Sequence, residues 1–139
     1  MNLGKFATRE NSEKGVWVEP VLFGEKLGVE FCVIGADSDE ARRFTREQAK
    51  EIASLKKEER DEIDWVERSK NGTAARIKSM RVVGNEAAPV ELGSEVIENT
   101  SIGYKKIFTE IPEVQDFIWS FSEARVNFLS QPKENSKRL

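Results

Sequence analysis

The first ordered hydrophobic pattern along the chain is an alternation. Val16-Trp17-Val18-Glu19-Pro20-Val21-Leu22-Phe23 is rich in β-branched and aromatic residues, and Gly24-Glu25-Lys26 follows as a turn. Leu27, Val29, Phe31 and Val33 then place every second side chain on one face. Two such runs about a short glycine-containing turn predict a β-hairpin. Pro20 has no N–H to give to a ladder, which predicts an edge or a bulge there. A lone hairpin is marginal in water, so helices downstream are expected to cover its apolar face.

The period changes at Gly35-Ala36-Asp37-Ser38. Asp37 followed by Glu40 has the form of a capping box. From there to about Lys70 the chain predicts one or two charge-dense helices. Their apolar positions, Ala41, Phe44, Ile52, Leu55, Ile63 and Val66, form a narrow stripe. Asn71-Gly72 reads as a helix stop. Thr73 reads as the N-cap of a short helical segment through Met80, with Ala74, Ala75, Ile77 and Met80 inward. Arg81 to Gly93 reads as a connecting loop, with a brief extended piece at Val90 and Leu92.

Thr100 or Ser101 caps a helix carrying Ile102, Tyr104, Ile107 and Phe108, and Pro112 suits the first turn of another. Val114, Phe117, Ile118, Phe121, Arg125 and Phe128 then trace one helical face. The expected fold is α+β, an N-terminal β-hairpin packed on a mainly α-helical domain of about four to five helices. Residues 15–129 form the single domain, with residues 1–14 a flexible arm and residues 130–139 a flexible tail. Phe31, Phe108, Phe117, Phe121 and Phe128 are the expected core anchors, and Trp17 and Cys32 are read as core residues of the hairpin.

Composition narrows the function. With 139 residues, 38% of them hydrophobic and 34% charged, the chain supports one modest core under a heavily solvated surface. The net charge is −3, from 22 basic and 25 acidic residues in interleaved order. Nucleic-acid binders usually carry a basic excess, so that function is unexpected, with Arg42, Arg43 and Arg46 the residues that would serve it. There is no histidine, which removes the commonest general base and transition-metal ligand. Cys32, the one cysteine, makes neither an intrachain disulfide nor a zinc site of the usual kind. No secretory h-region stands in the first fifteen residues, and no stretch reaches the roughly 18 apolar residues of a membrane span.

Glu58, Glu59, Asp61, Glu62 and Asp64 are the densest carboxylates. They alternate with lysine and arginine, which predicts a solvated face and not an acid–base pair. Neither a Gly-x-Ser-x-Gly elbow nor a phosphate-cradling glycine loop occurs. No catalytic, metal or cofactor site is expected. Trp65 lies among charges and Trp119 borders the C-terminal apolar stripe. Both are candidate contacts for a partner's amphipathic helix.

Gly15-Val16-Trp17-Val18, Pro89-Val90-Glu91-Leu92, Ile111-Pro112-Glu113 and Arg125-Val126-Asn127-Phe128-Leu129 occur in that order around the hairpin and helices. In this the chain resembles the small tail assembly chaperones of long-tailed phages and prophages over most of residues 15–130. The middle helices match only in charge and length. The resemblance implies a non-catalytic protein of the bacterial host cytoplasm that binds the tape measure protein until tail tube protein surrounds it, with self-association possible. The alternatives are a permanent virion component, such as a tail terminator or head-tail connector, and a small nucleic-acid-binding regulator.

Overall fold

The computed structural model describes residues 2–130. Strand β1 (Val16–Val18) pairs antiparallel with β4 (Val29–Val33), Trp17 opposite Cys32. The expected hairpin is therefore present, but it is interrupted. Past Pro20, which is buried, a second small hairpin of β2 (Val21–Leu22) and β3 (Glu25–Lys26) turns on Phe23-Gly24, a tighter turn than the expected Gly24–Lys26. The Leu27 amide donates to the Pro20 carbonyl at 2.9 Å and joins the two pieces.

A third strand replaces the short helix expected through Met80. β5 (Ile77–Val82) pairs with the free side of β4, giving the sheet order β1-β4-β5. The register shifts between Cys32 and Val33, so that Ser79 faces Cys32 and Ile77 faces Val33. Lys78 is the extra, bulged residue. The bulge lets Ile77 and Met80, three apart, both point into the core, where they are 7% and 4% exposed. That spacing imitates a helix although its cause is a strand irregularity.

Helix α2 (Asp39–Ser54) is capped by Ser38, whose Oγ accepts from the Ala41 amide, and not by Asp37. Two further helices follow, α3 (Lys57–Asp61) and α4 (Trp65–Ala74). α4 runs through Asn71-Gly72 without stopping there. The brief extended piece expected at Val90 and Leu92 is β6 (Val90–Leu92), and it pairs with β7 (Glu95–Ile97), beyond the expected loop, in a third hairpin. α5 (Ser101–Glu110) is capped by Thr100, and α6 (Pro112–Glu123) opens on Pro112, both as expected. Strands and helices together make an α+β fold.

The core lies between the sheet and the pair α5–α6. It holds Phe31 and Val33 from β4, Tyr104, Ile107 and Phe108 from α5, and Val114 and Ile118 from α6. Phe31 meets Tyr104 edge-on, ring centroids 6.4 Å apart. Each such large side chain contributes roughly 1.5–3 kcal/mol by burial.

The expected C-terminal ridge is only partly one face. α6 ends at Glu123, and Phe128 sits on a 3-10 turn, Arg125–Phe128, that folds back to meet Phe121 at 5.6 Å. Phe31, Phe108 and Phe128 are fully buried as expected. Phe117 and Phe121 pack against the core from its edge and are only partly buried, with an open groove of about 550 Å³ beside them under the β2–β3 tip.

The expected flexible arm, residues 1–14, is structured over its described part. A 3-10 turn (Gly4–Phe6) leads into α1 (Arg9–Lys14), which packs on the 3-10 turn at Arg125–Phe128. Ser12 is buried and donates to Asp37 at 2.6 Å, and Asn11 donates to the Leu129 carbonyl at 2.9 Å. These contacts are all distant in sequence, so residues 1–14 show no local pattern that would announce them. Gly15 then turns the chain into β1 with φ +89°, and a Cβ there would stand 2.6 Å from Cys32 Sγ. Of the expected tail, residues 131–139 lie outside the described residues.

Candidate partner groove along α4

Trp65 and Trp119, 54 positions apart in sequence, line one groove. α4 presents Trp65, Arg68, Ser69, Gly72 and Thr73, α6 presents Gln115, Asp116, Trp119 and Ser120, and Gln48 of α2 closes the upper side, around about 480 Å³. Trp65 is the first residue of α4, held there by Asp64, whose carboxylate accepts from the Glu67 amide at 3.0 Å. It is 62% exposed, and Trp119 is 39% exposed. Both side chains thus keep apolar surface in water that the fold itself does not cover.

Trp119 is nevertheless held in place. The Arg76 guanidinium lies 3.8 Å over its ring. Arg76 is itself buried, donates to Ser122 Oγ at 3.3 Å and pairs with Glu123 at 3.4 Å. Burial pulls its pKa down from the ordinary arginine value, and Glu123 opposes that pull. Ser122 in turn donates to the Ile34 carbonyl at 2.7 Å. A chain of contacts therefore runs from the end of β4 through Ser122 and Arg76 to one face of the indole. The walls are cross-tied as well, since Gln115 of α6 donates to Ser69 Oγ of α4 at 2.9 Å. Side chains fixed in this way lose little conformational freedom on binding.

A second hollow of about 750 Å³ lies between α2, α3 and α4, with Phe44, Leu55 and Ile63 among its lining. Gln48 and Arg68 line both hollows, so the two adjoin in a track along α4 that the Arg68–Glu51 pair crosses.

Compared with known proteins, the chain matches no family model, no curated protein and no solved structure.

The remaining candidate residues fall elsewhere. Trp17 is half-buried on the sheet, with the Arg81 guanidinium 3.8 Å over its ring and Arg81 also paired to Glu30. Cys32 is buried, and burial pushes its thiol above the ordinary value, the direction of an unreactive thiol. Glu58, Glu59, Asp61, Glu62 and Asp64 are all exposed, and Glu59 and Asp64 serve as helix-capping groups. Among the described residues, no group of three or more histidine, cysteine, aspartate or glutamate side chains is placed to hold a metal ion. No helix among them is long and apolar enough to cross a membrane. Gln48 and Arg68, which line the groove, and Arg76, which supports Trp119 from the buried side, are residues that sequence reasoning missed. Arg76 follows Ala74-Ala75 with no pattern to mark it, and Arg68 meets its partner Glu51 across 17 positions.

Proposed function

We propose that the chain is a non-catalytic assembly chaperone that holds an amphipathic helix of a client protein in the groove of Trp65 and Trp119. What supports the reading is one observation above the others: two exposed tryptophans share a hollow, and one of them is held in place by a buried arginine. Tryptophan is the residue most enriched at energetic hot spots of interfaces, and a pre-positioned ring binds at lower entropic cost. The resemblance to the tail assembly chaperones of long-tailed phages gives the client: the tape measure protein, kept soluble by masking its helices until tail tube protein takes over.

Co-expression with a candidate tape measure protein tests this. The client is expected to appear in the soluble fraction in complex with the chain. The variant W65A/W119A is expected to lose the complex while keeping its far-UV circular dichroism. A folded double variant that still solubilises the client would overturn the reading, and so would failure of the parent chain to form any complex.

A further inference from the structure

Among the helices of ten residues or more, α2 is the least committed to the body of the protein. Ala41 is its only buried residue, and Phe44, Gln48 and Ile52 are only partly covered, as is Leu55 just beyond it. The inner side of α2 therefore faces the hollow over α3 and α4 without a partner. The floor of that hollow is apolar, with Phe44, Leu55 and Ile63. Its rim is acidic: Glu47 and Glu51 from α2, Glu62 after α3, and Glu67 on α4.

Arg68 pairs with Glu51 at 2.8 Å and Lys105 with Glu67 at 3.0 Å. Glu47 and Glu62 stand in no ion pair among the described residues. Three of the four bases of α2 turn away from the hollow. Arg42, Arg46 and Lys50, spaced by four, are exposed and absent from the hollow's lining. Around the hollow the carboxylates Glu47, Glu51, Glu59, Glu62, Asp64 and Glu67 thus outnumber the cations, with Arg68 the one base of its lining and Arg43 beside Phe44 and Glu47 in an adjoining hollow.

Resting on the client-binding reading above, we infer that the occupant of this track is a basic amphipathic helix. Its apolar ridge lies on Phe44, Leu55 and Ile63, its flanking lysines or arginines meet Glu47 and Glu62, and its large apolar anchors continue to Trp65 and Trp119. The two hollows adjoin at Gln48 and Arg68, so that one helix lying along α4 reaches both. An acidic or phosphate-bearing partner is repelled from the same track, which turns nucleic acid away from it.

The experiment uses the full chain and three synthetic helical peptides of about 18 residues, about 27 Å when helical. They share one leucine and phenylalanine ridge and differ only in carrying lysine, glutamine or glutamate beside it. Titration calorimetry at low and high salt is expected to rank lysine about tenfold tighter than glutamine, glutamate weakest, and the gap is expected to shrink as salt rises. E47Q/E62Q, at two exposed positions, is expected to weaken the lysine peptide about three- to tenfold and leave the glutamine peptide unchanged.

Equal affinity for the lysine and glutamine peptides would overturn the charge inference and leave the tryptophan groove standing. Lysine-peptide binding that is indifferent to W65A/W119A would instead overturn the tryptophan groove and support the acidic rim. No binding by any peptide would overturn both.

Discussion

The turn at the tip of the β2–β3 hairpin carries an avoidable strain, and removing it is expected to stabilise the protein. Leu22 pairs with Glu25, so the loop is the two residues Phe23 and Gly24, with φ of +54° and +81°. Positive φ at both positions is the type I′ arrangement, which favours Asn-Gly. A left-handed backbone costs an ordinary L-residue roughly 1–2 kcal/mol, and asparagine much less. Phe23 is 87% exposed, so its ring returns little burial energy in exchange. F23N is therefore expected to gain about 1 kcal/mol, which raises Tm by about 2–5 °C for a domain of this size. Urea and thermal melts by circular dichroism measure it. F23A, which keeps the strain, is expected to stay within about 0.5 kcal/mol of the parent. A Tm for F23N at or below the parent's would refute the reasoning, because the ring would then be worth more against Phe117 and Phe121 than the backbone strain costs.

Two further perturbations address the supports of the fold and groove. R76M removes the stack on Trp119 and the donor to Ser122, and it is expected to cost about 1–2 kcal/mol in urea melts; the half-exposed Glu123 pair adds little. An unchanged melt, with unchanged near-UV circular dichroism, would mean that the arginine holds nothing. Tyr104 is buried, with its hydroxyl donating to Asn99, and burial foremost, then Cys32, pushes its pKa up to about 12. The unfolded chain releases this proton near the ordinary tyrosine value of about 10, so above that pH the unfolded state binds fewer protons than the native one. Stability is then expected to fall as pH rises from about 10 towards 12, and Y104F is expected to lose that part of the slope; equal slopes would exclude Tyr104 as the cause.

What could be read from the residues follows the range over which each signal acts. The Thr100 cap and Pro112 at the head of α6 are set by neighbours within a few positions and stand as read, and the β1–β4 pairing stands with the β2–β3 hairpin inserted into it. β5 misleads because the bulge at Lys78 replaces a two-residue period with a three-residue one, so Ile77 and Met80 read as helix. α1 misleads because its order comes from Asp37 and Leu129, far along the chain. For the groove, Trp65 and Trp119 could be picked individually, since each breaks the local rule for a tryptophan. That they share one hollow depends on how α4 packs against α6. The excess of carboxylates around the second hollow was hidden by a sequence in which the signs alternate. Only the packing of α2, α3 and α4 gathers them.

The two ends of the described chain are sewn to each other. The Ser130 amide donates to the Ala7 carbonyl at 2.9 Å and its hydroxyl to the Gly4 carbonyl at 2.7 Å, beside the bond from Asn11 to Leu129. A pull applied to both ends would load this seam before any force reached the sheet. α1 and the turn at Arg125–Phe128 would peel away first, uncovering Phe128 while β1, β4 and β5 stayed paired. Tension transmitted through both ends would thus be relieved at one corner, with the groove along α4 still assembled.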